Sequence, residues 1–500
     1  MISKLCTGDN TFRFLAILMA GFIISLFKFN NVDAQQRSSQ TFESQNIQQA
    51  LNHAQNKLLQ TLDEINYNPA KHPGHTNPET GEWDVDYLSR NEWTSGFFAG
   101  SLWYMYRLTG EDSWKELAKT WTEDLEPMTM ATFDHDTGFR IFNSFGNGYK
   151  TLNKRSYYRT ILKAANTLSK RFDPAIGAIK SWDWTGNYPV IIDNLMNLEL
   201  LFWVAENSGN RSLYNIAKTH AETSLKHHMR EDGSTYHVVD FDNNGDVYRK
   251  FTTQGAGPTS VWTRGQAWAI YGFTMIYRFT GEKKFLEAAE AASQYFIERL
   301  PSDFVPYYDF FEPYRSVQTK DASAAAIAAS GFLELYQHTF NSLYFNTAVE
   351  ILLSLSSSDY STHQSSLSSI LKKSTLHRGF GNVGTSYADY YYLEAIMRYK
   401  EVLEEEFPAL NVENFLFLDQ NYPNPFNNQT IIYYSLEQSG ETKLSVYDMT
   451  GRHVQTLVNG QMPAGSFVVP FDGSGLSSGV YIYRLRNNGT VLTRKMTLIQ

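Results

Sequence analysis

A chain of 500 residues with one cysteine, Cys6, has no disulfide framework and no thiolate metal site. Charge is also scarce. Only 19% of residues are charged and the net charge is −9, so there is no basic surplus to hold a nucleic acid. Long apolar runs are confined to one place, Phe14 to Phe27. Fourteen apolar or small residues are too few to cross a bilayer comfortably, so no integral membrane segment is expected. The run follows Lys4 and Arg13 and precedes Val32-Asp33-Ala34. That order is the pattern of a secretory signal peptide over residues 1–34, with cleavage expected after Ala34. Cys6 would leave with it, and the exported chain would have no thiol nucleophile. The leader carries three cations and two anions, so its loss makes the net charge one unit more negative.

What the sequence has in quantity is aromatic and helical. Aromatic residues make up 15%, including ten Trp and thirty-one Tyr, a surplus suited both to core packing and to stacking on sugar rings. Residues 35–45 are rich in Gln and Ser and form an expected lead-in. Over 46–407 the apolar spacing is helical and a local pattern recurs. Tyr106-Arg-Leu-Thr-Gly-Glu-Asp-Ser-Trp and Tyr277-Arg-Phe-Thr-Gly-Glu-Lys-Lys-Phe are close copies. Looser copies begin at Trp203 and Leu335. Each reads as a helix end, a polar turn and the start of a second striped helix. Gly110, Gly209 and Gly281 are spaced too irregularly for an open solenoid. The expectation is an all-α, closed toroid of paired helices with long insertions around a central cleft. After an expected linker at 408–420 the texture changes to short alternating strands, Thr430–Leu436, Thr442–Asp448, Ser466–Phe471, Val480–Arg486 and Thr490–Ile499. Residues 421–500 are therefore read as a small β-sandwich-like domain without a catalytic cluster, with Gly451 and Gly460 among its turns.

Four islands in the helical part combine polar and aromatic residues. Asp193 follows Val190-Ile-Ile192 and opens a helix striped by Leu195, Leu198, Leu201 and Phe202. It is either an N-cap or a desolvated carboxyl able to hold a proton near neutrality. Asp134-His135-Asp136 precedes Gly138; one His and two Asp are a thin metal-ligand set. Trp93 precedes a small-residue turn. Gln254, Trp262, Arg264, Gln266 and Trp268 are concentrated between 252 and 268. There Arg could clasp a carboxylate in two-point fashion while the rings stack on a sugar.

These islands resemble one family. Trp93-Thr-Ser-Gly-Phe97, His135-Asp-Thr-Gly-Phe139, Ile192-Asp-Asn-Leu195, Gln254-Gly255, Trp262-Thr-Arg-Gly-Gln-Ala-Trp-Ala-Ile-Tyr-Gly272, Asp321-Ala-Ser-Ala-Ala-Ala326 and Ala388-Asp-Tyr-Tyr-Tyr-Leu-Glu-Ala395 are similar to the unsaturated glucuronyl hydrolases of glycoside hydrolase family 88. The resemblance implies a six-hairpin (α/α)6 toroid. It implies that Asp193 is the general acid/base and Asp136 its partner carboxylate, which orients sugar hydroxyls and keeps Asp193 protonated by like-charge proximity. It implies that Trp93, His135, His237, Thr252, Gln254, Trp262, Arg264 and Trp268 line the subsite for an unsaturated uronate, with no metal or other cofactor. Thr253 stands where some relatives have His. The expected substrate is an anionic oligosaccharide ended by a 4,5-unsaturated uronic acid. An ordinary hydrolase on the same toroid, an unsaturated rhamnogalacturonyl hydrolase and a non-catalytic glycan-binding protein are the alternatives. Asn421-Tyr-Pro-Asn-Pro-Phe426 and Gly479-Val-Tyr-Ile-Tyr483 resemble the C-terminal sorting domain of the type IX secretion system. That implies export through the periplasm to the surface or medium, with the type IX machinery as partner.

Overall fold

The computed structural model describes residues 44–184, 187–311, 319–363, 365–406, 416–421 and 424–499. The expected signal peptide, almost all of the lead-in and residues 408–415 of the linker lie outside them. The chain divides into two compact units, Phe42–Glu413 and a carboxyl-terminal unit from Asn414 onward.

The first unit is built from helical hairpins. Its helices are α1 (Ser44–Glu64), α2 (Ser95–Thr109), α3 (Asp112–Asp124), a π-helical segment (Gly138–Gly146) running into α4 (Asn147–Leu152), α5 (Arg155–Ser169), α6 (Asn194–Ser208), α7 (Arg211–His228), α8 (Thr263–Thr280), α9 (Lys283–Ile297), α10 (Ala322–Thr339), α11 (Ser342–Ser356) and α12 (Ser386–Glu406). The inner ring runs α2, the 138–152 segment, α6, α8, α10, α12 and back to α2. That closed order is the toroid the repeats suggested. Inner helices are buried nearly all round: α10 buries every residue from Ala322 to Tyr336. Outer helices bury one stripe, as α5 does with Tyr157, Ile161, Ala164, Ala165 and Leu168.

The repeated motif marks the turns from inner to outer helices. Gly110, Gly209 and Gly281 take φ of 74°, 72° and 65° as left-handed caps. The fourth copy lacks glycine, and Phe340 adopts φ of 53° in its place. Small residues let the inner helices approach closely. A Cβ on Gly96 would lie 2.1 Å from the Phe139 carbonyl oxygen. Insertions fall at the opposite end from these turns. They include the sheet of β3 (Tyr188–Ile191), β4 (Val238–Phe241) and β5 (Val247–Phe251), which follows two short strands, β1 (Phe172–Asp173) and β2 (Ala178–Ile179). A further hairpin joins β6 (Ser374–His377) to β7 (Phe380–Val383).

The second unit is two antiparallel sheets, β11-β10-β13-β14 and β12-β9-β8. Its strands are β8 (Phe417–Leu418), β9 (Gln429–Leu436), β10 (Gly440–Asp448), β11 (His453–Met462), β12 (Gly465–Asp472), β13 (Gly479–Asn487) and β14 (Thr490–Leu498). Ile432, Tyr434, Leu444, Val446, Phe467, Tyr483 and Leu485 share one core, as a sandwich requires. Two strands escape the sequence pattern. β11 is an edge strand whose half-exposed residues alternate weakly, and Gly460, expected in a turn, pairs with Thr442 inside it. β8 is only two residues long, within the stretch read as linker.

Candidate active site

Trp93, Asp136, Asp193, Trp262, Arg264 and Trp268 stand at or near the start of an inner helix, His237 immediately precedes β4, and Thr252 and Gln254 lie in the loop between β5 and α8. β3 pairs with β4 so that Ile191 faces Val238, and the Ile192 amide donates to the His237 carbonyl at 3.0 Å. This register sets Asp193 beside His237. Asn194 locks the start of α6, accepting from Ser181 Oγ at 2.7 Å and donating to the Ile179 carbonyl at 2.8 Å. Asp193 itself has helical backbone angles and makes no side-chain cap bond, so the capping reading fails. The residue is 6% exposed and its Oδ2 has no hydrogen-bond partner among the described residues. Burial raises its pKa to about 7, against the opposing pull of Arg264 and of the Trp268 indole N–H.

His237 faces this carboxyl with Nε2 3.7 Å from Asp193 Oδ2. Its Nδ1 accepts from the Thr253 amide at 3.3 Å and contacts Thr252 Oγ1 at 3.1 Å, which puts the ring proton on Nε2. Burial first, and then Arg264, lower its pKa to about 3, so it is a neutral donor. Asp136 repeats the arrangement. His135 Nε2 stands 3.5 Å from Asp136 Oδ1 while its Nδ1 accepts from Asn197 at 3.4 Å. Burial holds His135 neutral as well, at about 3. Burial, then the charge of Asp134, push the Asp136 pKa well up, with Asp193 adding to the rise. Asp134 behaves oppositely. Burial would raise it, but two bonds of 2.7 Å from Arg140 outweigh that and keep it ionised.

An open cleft of about 420 Å³ is lined by Trp93, Gln254, Arg264 and Tyr387, with His75, Asp84, Tyr87 and Glu92 on its walls. Asp193 and Asp136 are not on these walls. Contacts join the two regions: the Arg264 guanidinium lies 4.5 Å over the Trp262 ring, and that ring lies 4.5 Å from His237. Three expectations need correction. The two-point clasp by Arg264 is not available, because its terminal nitrogens already donate to Asp321, the Thr375 and Leu376 carbonyls and Gln254. Trp262 and Trp268 do not offer faces to a sugar, since they are 2% and 0% exposed and packed among other rings. The Trp262 indole N–H has no hydrogen-bond partner among the described residues and remains a donor. Trp93 is the half-buried ring on the cleft, packed against Phe97, Phe139 and Tyr387. Lastly, like-charge repulsion from Asp136 is not what raises Asp193; burial is.

Some participants were missed in the sequence. Asn197 accepts from the Phe139 amide at 2.9 Å while contacting His135, one helical turn after Asp193. The i, i+4 spacing was the available signal. Asp321 and Arg140 are buried partners whose targets lie on other elements, so only folding reveals them.

Residues 63–348 match the Glycosyl Hydrolase Family 88 profile, more than half of the chain. The chain belongs to glycosyl hydrolase family 88. This family 88 protein is 41% identical over 340 residues to an unsaturated glucuronyl hydrolase of Formosa agariphila, covering 64% of this chain and 82% of the relative. An unsaturated chondroitin disaccharide hydrolase of Streptococcus pyogenes serotype M1 is 33% identical, with 64% and 84% covered. Among solved structures, an unsaturated glucuronyl hydrolase specific for heparin superimposes with a TM-score of 0.68 at 37% identity, over 71% of this chain and 98% of that one. The enzyme of Bacillus sp. GL1 gives 0.66 at 30%, over 72% and 97%. Residues 420–499 match the Secretion system C-terminal sorting domain. The family 88 chain is thus a glycoside hydrolase carrying a tail that directs it to the surface or the medium. Among the described residues no helix is long and apolar enough to cross a membrane.

Proposed function

We propose that this enzyme removes the terminal 4,5-unsaturated uronic acid from oligosaccharides released by polysaccharide lyases, of glycosaminoglycan or ulvan type. The observation that carries the reading is Asp193: an enclosed carboxyl with a pKa near 7, an unpartnered oxygen and a neutral imidazole donor beside it. A general acid/base works best when its pKa lies near the working pH.

The C4=C5 bond of such a sugar is a vinyl ether. Neutral Asp193 gives its proton to C4, and positive charge develops at C5 and the ring oxygen. Water adds at C5 as the same carboxylate takes a proton from it. The resulting hemiketal opens, the ring C1 becomes an aldehyde after loss of the neighbouring sugar, and no bond to the protein forms. His237, donating through Nε2, steadies the carboxylate that exists between the two proton transfers. Asp136, neutral and turned by Asn197 and His135, holds sugar hydroxyls. The fixed charge of Arg264 offsets the repulsion between an acidic protein and an anionic sugar.

The relatives support this substrate class, and they do not favour a rhamnogalacturonyl substrate or a merely glycan-binding role. For delivery, a leader cleaved after Ala34 would take the chain to the periplasm and the sorting tail would take it onward. The decisive assay follows the alkene's ultraviolet absorbance on unsaturated disaccharides from chondroitin, hyaluronan, heparin and ulvan. Enzymatic loss of the absorbance supports the mechanism. Release of the sugar with the absorbance intact would mean displacement at C1 and would overturn it.

A further inference from the structure

The expected carboxylate clasp is already spent inside the protein, which raises the question of what Arg264 does there. Its Nη1 donates to Asp321 Oδ2 at 3.0 Å and to the Thr375 carbonyl at 2.5 Å. Its Nη2 donates to the Leu376 carbonyl at 2.9 Å and to Gln254 Oε1 at 2.6 Å. The guanidinium lies over the rings of Trp262 and Tyr387, with centroid distances of 4.5 and 5.2 Å. Both Arg264 and Asp321 are buried, at 2% and 0% exposure.

Arginine has no acceptor, so the Gln254 oxygen must be the atom that faces it. The Gln254 amide nitrogen is then turned away, and it has no partner among the described residues. Gln254 lines the open cleft. A bond from a cation also polarises the amide and makes its remaining N–H groups stronger donors. Asp321 divides its two oxygens between two tasks. Oδ1 accepts from Ser323 N and Ala324 N and caps α10. Oδ2 takes Arg264.

We propose that Asp321 is a positioning residue: through Arg264 it fixes the Gln254 amide as the donor that meets the substrate carboxylate. Building on the uronate reading, it assigns carboxylate recognition to Gln254 and makes Arg264 the rigid link behind it. The effect belongs to binding, in ground and transition states alike, and so should appear in KM rather than in kcat.

The test is a double-mutant cycle with Asp321→Asn and Gln254→Leu, measured on an unsaturated uronate and on its methyl ester. Asn keeps an Oδ1 to cap α10, and Leu nearly matches Gln in volume without a donor. Each single variant should raise KM for the acid by roughly tenfold with kcat within about twofold, the scale of one charge-assisted hydrogen bond. The double variant should be no worse than the more affected single, and the acid-over-ester preference should collapse in all three. If the two effects multiply, or if acid and ester suffer alike, Asp321 acts only on the fold and the proposal is wrong. A buried Arg264 left without its counter-ion threatens folding. Asp321→Leu with Arg264→Met removes both charges, and should fold while keeping the raised KM. A normal KM in that folded variant would also overturn the proposal. A wild type that leaves the alkene untouched would instead fail the reading of function on which this rests.

Discussion

Replacing Asp193 by Asn should make the protein more stable and catalytically inert, and the gain in stability should depend on pH. A carboxyl that stands at about 7 in the fold against an ordinary 3.8 is a strained group once ionised. The raised value fixes the sign. Below about pH 4 the group is protonated in both folded and unfolded chains and costs nothing. Between pH 4 and 7 the unfolded chain loses the proton first, so each pH unit withdraws about 1.4 kcal/mol of stability. Above pH 7 the loss levels off at roughly 4 kcal/mol, the full separation of the two pKa values. Asn is never charged, so the variant escapes this loss. No cap bond is given up, because Asp193 makes none. Denaturant unfolding of the helical unit should therefore give coincident curves at pH 4 and a variant more stable by up to about 4 kcal/mol at pH 8. Turnover should fall by at least the 10² to 10⁴ that general acid–base catalysis supplies. A stability difference independent of pH would refute the claim that Asp193 is desolvated, and near-normal turnover would refute its role as acid.

The remaining predictions touch other parts of the same arrangement. In the wild type, kcat/KM should fall about tenfold per pH unit above about pH 7, as Asp193 loses the proton it must give to C4; a flat alkaline limb would exclude it as the donor. Gly138→Ala would place a Cβ 2.6 Å from Asn197 Oδ1 and 2.7 Å from its Cα, displacing the residue that orients His135. It should cost about 1–3 kcal/mol in unfolding experiments and lower kcat with it. A chain ending at Glu406 keeps every inner helix and should retain full activity on soluble oligosaccharide. In the native host it should accumulate in the periplasm, which cell fractionation would detect.

Much of this was legible in the chain because it is written in local spacing. The hairpin turns repeat, and three of four show the glycine that a left-handed cap favours. Phe340 shows that the fourth is held by its neighbours instead. Asp193 announced itself by apolar residues on both sides, yet its capping alternative could be rejected only from its backbone angles. Arg264 was singled out correctly and given the wrong task, because apart from Gln254 its partners Asp321, Thr375 and Leu376 come from positions 57 to 112 residues away. Spacing along a chain says which residues share a helix face; it does not say which carbonyls a hairpin such as β6–β7 will bring to an arginine. Trp262 and Trp268 were over-read for the same reason, since burial is a property of the assembled ring. β11 was missed because an edge strand needs little alternation.

The inner ring has a consequence for how an acidic enzyme meets an acidic sugar. Trp93, Asp136, Asp193, Trp262 and Asp321 each precede an inner helix, so these helices run the same way and begin at the same end of the toroid. Each helix start carries about half a positive charge from its unpaired amides. The mouth of the site therefore gathers several such half-charges, set against the Asp84 and Glu92 carboxylates on the cleft walls. An approaching polyanion would be repelled at long range and drawn in at short range. Added salt screens the first effect more than the second, because the approach is longer than a Debye length and the helix ends are not. Capture of the substrate should thus tolerate saline surroundings better than the protein's overall charge would suggest.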